Sequence, residues 1–541
     1  MTDDPSATPA PTAAPVAEPP DESPEDTSEP SAEPFGGTAD AAPSARRPGL
    51  RGAPFVLVAV ALVVRVGSLL SPRHLGFDDG VYGASINAMR HGGAPFRDVF
   101  SSQGPLFLPL VSVFDRLGAH WIDAPRLAAV AAGVAVTLAA YAIGCRLTDR
   151  SAAFLAALFV ATSGTLLWTT GPLTSDGIAE AWACWGVFAA LWYRRAPSWP
   201  RAVLVGLLCG AAVSTKSLLV GPAVLTAWVI VLGARRWRHV AAVPVVAASV
   251  LVLAALPWGW RDVYDQSVRY HLDKTGNRKP GANLHKVFNT LWTRDLPLMV
   301  AATLALVWTV VAHVRGRGPG RHPEWWPVIG WFVLAVAVVT WQDPMWRNHI
   351  AHVVVPLALL AACYRPPWKV LALVVLAIPV WVVNMEPLLL PHDYTGRDQL
   401  VERMLDQLPD GAGALSDEPG LVYRAGRLVP GNLVDASRLR VEAQAKVLRV
   451  TPELVAKAAA RRDVCAVIVW SVRWSGTGRD PDASPTTEPR YRAFRRLPGL
   501  LNRAGYSVAQ RWDDRHVVYV KDHCDPIDRT TTAALPARSR G

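Results

Sequence analysis

Two adjacent acids, Asp78 and Asp79, follow directly on the first strongly apolar stretch of the chain. They open the segment Gly76 to Leu117, GFDDGVYGASINAMRHGGAPFRDVFSSQGPLFLPLVSVFDRL. A carboxylate carried to the middle of a bilayer costs about 2.5 to 3.5 kcal/mol on insertion scales, so acids beside a span sit in the interface or face a polar cavity. Neighbouring helical side chains point about 100° apart, so one acid of the pair can face a reacting group while the other caps the helix or binds a partner. Solvated helix capping by both is the alternative. Behind them Val81, Ala84, Ala88 and Met89 recur at helical spacing, as do Leu106, Leu110, Val113, Phe114 and Leu117 after Pro105. This pattern predicts two amphipathic helices lying on the outer leaflet.

Further groups with chemical potential lie beyond this loop. Asp176, in PLTSDG, has Glu180 one helical turn on and on the same face. Acidic outer loops side by side can hold a divalent cation through oxygen ligands, which makes Asp79, Asp176 and Glu180 candidate ligands, although no spacing specifies a metal. The segment 259–295 carries Arg261, Arg269, Lys274, Arg278, Lys279, Lys286 and Arg294 against Asp262, Asp265, Asp273 and Asp295, with His271 and His285 interspersed. A net-basic outer loop runs against the positive-inside trend and calls for an anionic partner, a phosphate or the headgroups of anionic lipid. Lys216 stands in a short apolar hairpin, and Arg347, Asn348, His349 and His352 begin a later span. A Lys at a span end also snorkels, and a lone His is more often structural than catalytic. Together these cations suit a departing phosphate.

The elements that must position these groups are membrane spans. The chain has 541 residues, 51% of them hydrophobic and only 18% charged, which describes a polytopic α-helical membrane protein. About 20 mainly apolar residues cross a bilayer as a helix. Eleven candidate stretches lie near 53–71, 124–145, 151–170, 177–193, 202–215, 218–233, 240–258, 296–313, 325–341, 349–363 and 369–388. The net charge of +11 resides mostly in short clusters between them, which argues for membrane topology and against a nucleic-acid partner. Residues 1–50 form an acidic tail, expected to be disordered, whose Arg46 and Arg47, with Arg51 just beyond, precede the first span. Those arginines place the N-terminus in the cytoplasm. The basic connections at Arg146/Arg150, Arg194/Arg195/Arg201, Arg235/Arg236/Arg238, Arg315/Arg317/Arg321 and Arg365/Lys369 then fall on the same side.

The outer side receives the loops 72–123 and 259–295 and everything after about 390. From 391 to 525 the chain becomes charged and soluble in character. Ala414-Leu415, Cys465 to Trp470 and His516 to Val520 read as strands and Pro452 to Arg462 as a helix, giving a small C-terminal extracytoplasmic α/β domain before a disordered tail at 526–541. Cys465 and Cys524 are its only cysteines, either bridged or two free thiols.

The segment 51–390 resembles the GT-C superfamily of lipid-phosphate-sugar-dependent glycosyltransferases, and within it the bacterial family related to protein mannosyltransferases and the lipid A aminoarabinose transferase. Asp78-Asp79 with Tyr82, Gly92 to Asp98 (GGAPFRD), Gln103 to Leu106 (QGPL), Ala124 to Leu127 (APRL), Asp176, Thr215-Lys216, and His349 with Pro356 carry the likeness. The family's acidic pair is usually Asp-Glu, and here it is Asp-Asp. The resemblance implies a membrane glycosyltransferase that moves a hexose such as mannose, or a pentose, from a polyprenyl monophosphate to a protein, lipid or cell-wall glycan outside the plasma membrane. Asp78 would be the general base with Asp79 and Asp176 beside it. Lys216, Arg269, His271, Arg347 and His349 would bind the donor phosphate, with a divalent metal as a conceivable helper. Two other classes compete. A transporter or lipid-linked sugar flippase would carry charges near the bilayer midplane, whereas Arg65, Glu180 and His313 read as lying near span ends. A receptor would leave the first-loop acids without a task.

Overall fold

Ala-, Val- and Leu-rich runs with few charges form helices whose apolar sides pack on one another or face lipid. The computed structural model describes residues 52–70, 75–217, 219–272, 280–315, 325–343, 345–364, 372–389, 396–445, 448–477 and 488–524. The acidic tail with Arg46, Arg47 and Arg51, the basic residues Lys274, Arg278, Lys279, Arg317, Arg321, Arg365 and Lys369, and the tail at 526–541 lie outside the described residues. The main helices are α1 (Ala53–Leu70), α2 (Phe77–Arg90), α3 (Phe107–Leu117), α4 (Arg126–Leu147), α5 (Arg150–Thr162), α6 (Gly164–Thr170), α7 (Ser175–Arg195), α8 (Trp199–Thr215), α9 (Gly221–Leu232), α10 (Trp237–Ala255), α11 (Pro280–Arg294), α12 (Leu296–Val314), α13 (Trp326–Trp341), α14 (Ala351–Cys363) and α15 (Ala372–Leu389).

A helix lies at each of the eleven apolar stretches. Among the described residues, three (Arg126–Leu147, Trp237–Trp258 and Leu296–Val314) are long and apolar enough to cross a membrane unaided, and the pair α5 and α6, bent by 59°, makes a fourth if it is one span. Helix α4 is central, while α12 turns Leu306, Val307, Val310 and Val314 outward as a lipid-facing stripe does. Helix α7 carries Asp176 and Glu180 yet is buried along most of its length, so its acids face protein rather than lipid.

The bend between α5 and α6 explains a correction. Arg65 does not reach an interface: it is fully enclosed and donates to Ala161 O (3.0 Å), to Ala61 O (3.0 Å) and to Thr170 Oγ1 (2.9 Å). In an unbroken helix Ala161 O would accept from Thr165 N–H, which here donates to Asp295 Oδ2 instead (3.3 Å). A carbonyl freed by a helix break in hydrocarbon needs a new donor, and Arg65 supplies it. Glu180, in the second turn of α7, is likewise enclosed by protein.

Toward the C-terminus a four-stranded sheet forms from β1 (Gly413–Ser416), β2 (Val464–Val469), β3 (Tyr506–Arg511) and β4 (Val517–Lys521) in the order β1-β2-β4-β3, with β1 parallel to β2 and the other pairs antiparallel. The three apolar strands and the Pro452–Ala459 helix stand where the sequence pattern placed them. Strand β3, YSVAQR, is a polar edge strand with most side chains exposed, so it lacked the alternation that marks a half-buried strand. Cys465 is bridged to Cys524, their Cα atoms 5.5 Å apart. In the native protein neither thiol is expected to label without reductant and both are expected to label after it. Labelling of both in untreated protein would contradict the bridge.

The described residues from 52 to 524 form one compact unit, and the helix Pro419–Arg424 after β1 packs directly on α2. Helix α2 therefore does not lie on the leaflet as its pattern predicted; Asp79 through Ala88 are buried. Its small-residue face is the reason. A Cβ at Gly80 would come within 2.5 Å of Gly420 N and one at Gly83 within 2.3 Å of the Tyr423 ring, so only glycine admits this approach. Asn87 Nδ2 donates to Arg427 O (3.1 Å), and Phe100 N donates to Gly431 O (2.9 Å). Helix α3 does keep Val113 and Leu117 exposed, as a surface-lying helix would.

Candidate active site

The N-terminal turn of α2 turns its two acids in different directions. Asp79 is buried against Arg126 at the start of α4, whose Nε lies 3.2 and 3.1 Å from its two oxygens, and it also accepts from Leu173 N (2.8 Å). Arg126 donates on to Ser68 O (2.5 Å). This pair ties α1, α2, α4 and the loop before α7 into one knot. Asp78, half-buried, accepts from Asn348 Nδ2 (3.1 Å) at the entrance to α14.

Opposite Asp78 stands a line of ionisable groups. Lys216 Nζ lies 2.8 Å from Asp176 Oδ2; His352 Nε2 lies 3.4 Å from Asp176 Oδ1, and His352 Nδ1 lies 2.5 Å from Glu180 Oε2. His349, one turn before His352, is within electrostatic reach of Asp176, and Lys216 is within reach of Asp78. The loop that carries Lys216 is fixed by the loop between α1 and α4: Gly104 N donates to Thr215 O (3.1 Å) and Leu106 N to Ser214 O (3.0 Å). A Cβ at Gly104 would lie 2.1 Å from Ser214 O, so the QGPL turn needs its glycine to meet this backbone. Ser175 Oγ donates to Gln103 Oε1 (2.9 Å), joining the same loop to the mouth of α7.

Burial pushes the Asp78 carboxyl up to about 6; the Lys216 ammonium opposes this, and the nearby carboxylates of Asp176, Asp435 and Asp79 add to it. Asp78 is thus a stronger base than an ordinary carboxylate yet ionised at neutral pH, which suits proton abstraction from a hydroxyl.

The remaining candidates are placed differently. His271 Nε2 contacts Ser102 O (2.8 Å) and so steadies the first loop. Arg269 is exposed and pairs with Asp265 (3.4 Å), while exposed Arg347 stands close enough to Arg294 to act on its charge. Each of the three candidate metal ligands has a basic partner. Asp79 is matched by Arg126, Asp176 by Lys216 and His352, and Glu180 by His352, and among the described residues no group of three or more His, Cys, Asp or Glu could hold a metal. The sequence reading named Asn348 and His352 without giving either a partner, and it did not name Asp435. His352 was grouped with the cations that begin its span, and its i+3 spacing from His349 was a usable signal; Asn348 is a neutral amide; Asp435 lies in the distant C-terminal segment.

No protein-family model matches the chain, and no curated protein matches it. Solved structures do. ArnT from Cupriavidus metallidurans in the apo state superposes with a TM-score of 0.60 at 16% identity, covering 86% of this chain and 97% of that one. The same protein bound to undecaprenyl phosphate gives 0.59 at 16% identity over 87% and 98%. The Archaeoglobus fulgidus oligosaccharyltransferase in the apo form gives 0.50 at 11% identity over 84% and 72%. These neighbours are GT-C glycosyltransferases, multi-pass membrane proteins, and this chain shares their fold.

Proposed function

We propose that this chain, built on the GT-C fold, moves a sugar from a polyprenyl monophosphate to an acceptor hydroxyl on the extracytoplasmic face of the plasma membrane. The observation that carries the proposal is the nearness of a half-buried carboxylate, Asp78, to the Lys216–Asp176 pair where the first loop meets the ends of α7, α8 and α14. A base and a cation this close together are the groups that transfer from a lipid phosphate to a hydroxyl needs, and a protein of the same fold is solved with undecaprenyl phosphate bound.

The chemistry follows from those groups. Asp78 takes the proton of the acceptor hydroxyl as its oxygen attacks the anomeric carbon. The bond from that carbon to the phosphate oxygen breaks, its electron pair stays on the phosphate, and Lys216 with His349 stabilises the charge that develops there. A phosphate leaves as a weak base and needs little protonation. A single displacement inverts the anomeric centre. The sugar is a hexose such as mannose or a pentose, and the acceptor is a protein, a lipid or a cell-wall glycan. In this arrangement the N-terminus is cytoplasmic, the C-terminal sheet lies outside, and Asp79 has a structural task.

The pH dependence of transfer tests the assignment. Asp78 must be ionised to act, so kcat/KM with a polyprenyl-phosphate sugar should rise tenfold per pH unit below about 6 and level off above it. A rate that shows no acid limb between pH 4 and 8 would reject Asp78 as the base.

A further inference from the structure

The buried line behind Lys216 extends further than the chemistry above requires. It runs Lys216, Asp176, His352, Glu180, with Cys184 Sγ donating to the second Glu180 oxygen (3.4 Å). Of these four side chains only that of Lys216 is accessible, 16% exposed; Asp176, His352 and Glu180 are at most 2% exposed. A ring with a carboxylate oxygen at each nitrogen is fully satisfied only when both nitrogens carry hydrogen. Two carboxylates, an imidazolium and an ammonium then cancel, which makes the cluster tolerable inside the bundle. An apolar set of the same volume would be cheaper still. What the cluster achieves is geometric: with Oδ1 of Asp176 held by His352, Oδ2 is fixed on the Lys216 ammonium.

We propose that His352, itself anchored by Glu180, is a positioning residue that locks the Asp176 carboxylate and through it aims the Lys216 ammonium at the phosphate of the lipid-linked donor. The inference rests on the donor assigned above. It is tested by equilibrium binding of undecaprenyl phosphate to the purified full chain in nanodiscs. His352→Leu and Glu180→Gln should each weaken binding about tenfold, the scale of one charge-assisted hydrogen bond. Lys216→Met should weaken it at least as much, and His352→Leu should add nothing in the Lys216→Met background, because residues acting through one another are not additive. His352→Gln, whose amide still donates to Asp176, should bind more tightly than His352→Leu; it and Glu180→Gln keep the test open if His352→Leu fails to fold. Wild-type affinity in His352→Leu, or an equal loss in both backgrounds, would overturn the positioning role. Absence of binding by the wild type would instead overturn the donor assignment, and the role with it.

Discussion

Replacing Asp78 by Asn is expected to slow sugar transfer by about 100- to 10,000-fold, the range a general base supplies, without loss of stability. The substitution keeps the size of the side chain, and the new amide oxygen can still accept from Asn348 Nδ2. The stability half follows from linkage. Burial raises the Asp78 carboxyl to about 6, so the folded chain holds that proton more tightly than the unfolded chain does. Ionisation of Asp78 therefore lowers stability as the pH rises through about 6, and removing the charge at pH 7 to 8 leaves the protein at least as stable. Thermal unfolding and transfer rates on one preparation check both halves. A variant that lost activity together with its fold, or that kept wild-type transfer, would remove Asp78 from the mechanism.

The second large effect falls on the neighbouring acid and is opposite in kind. Arg126→Leu leaves the Asp79 carboxylate buried with Leu173 N–H as its remaining observed donor. Breaking one side of a buried ion pair costs about 3 to 5 kcal/mol, a large part of the roughly 5 to 15 kcal/mol that holds a typical domain together. The yield of folded protein from membranes and its melting temperature should both fall. The double variant Asp79→Asn/Arg126→Leu buries no uncompensated charge and should recover part of the loss. A double variant less stable than Arg126→Leu would show that the pair is not the source of the effect. Two acids adjacent in sequence would then be separated by experiment, one changing the rate and the other the fold.

Asp78, Asp176 and Lys216 were legible in the sequence because ionisable groups beside apolar spans are costly and stand out against them. Where the helices fall was legible for the same reason. What escaped depended on partners far away in the chain. The face of α2 formed by Gly80, Gly83 and Asn87 is weakly polar and looked solvent-directed; it is covered by Gly420, Tyr423 and Arg427, more than 330 positions on. Arg65 looked able to reach an interface because nothing local shows that α5 and α6 break beside it. His352 is one imidazole in an apolar helix, and its role emerges only when α7 brings two carboxylates to its ring. The candidate metal ligands also have partners that the sequence does not show. Asp79 pairs with Arg126, Asp176 with Lys216 and His352, and Glu180 with His352, all contributed by other helices or loops.

The central claim is that the site at Asp78 and Lys216 transfers sugar from a lipid phosphate rather than moving a lipid-linked sugar across the bilayer. The most direct measurement gives purified full-length protein in liposomes radiolabelled hexosyl- and pentosyl-polyprenyl phosphates together with a cell-envelope extract as acceptor, and follows the label. Label passing from the lipid to an acceptor with wild-type protein and remaining on the lipid with Asp78→Asn is the predicted result. Label that changes leaflet while staying on its lipid carrier, in wild type and Asp78→Asn alike, would contradict it.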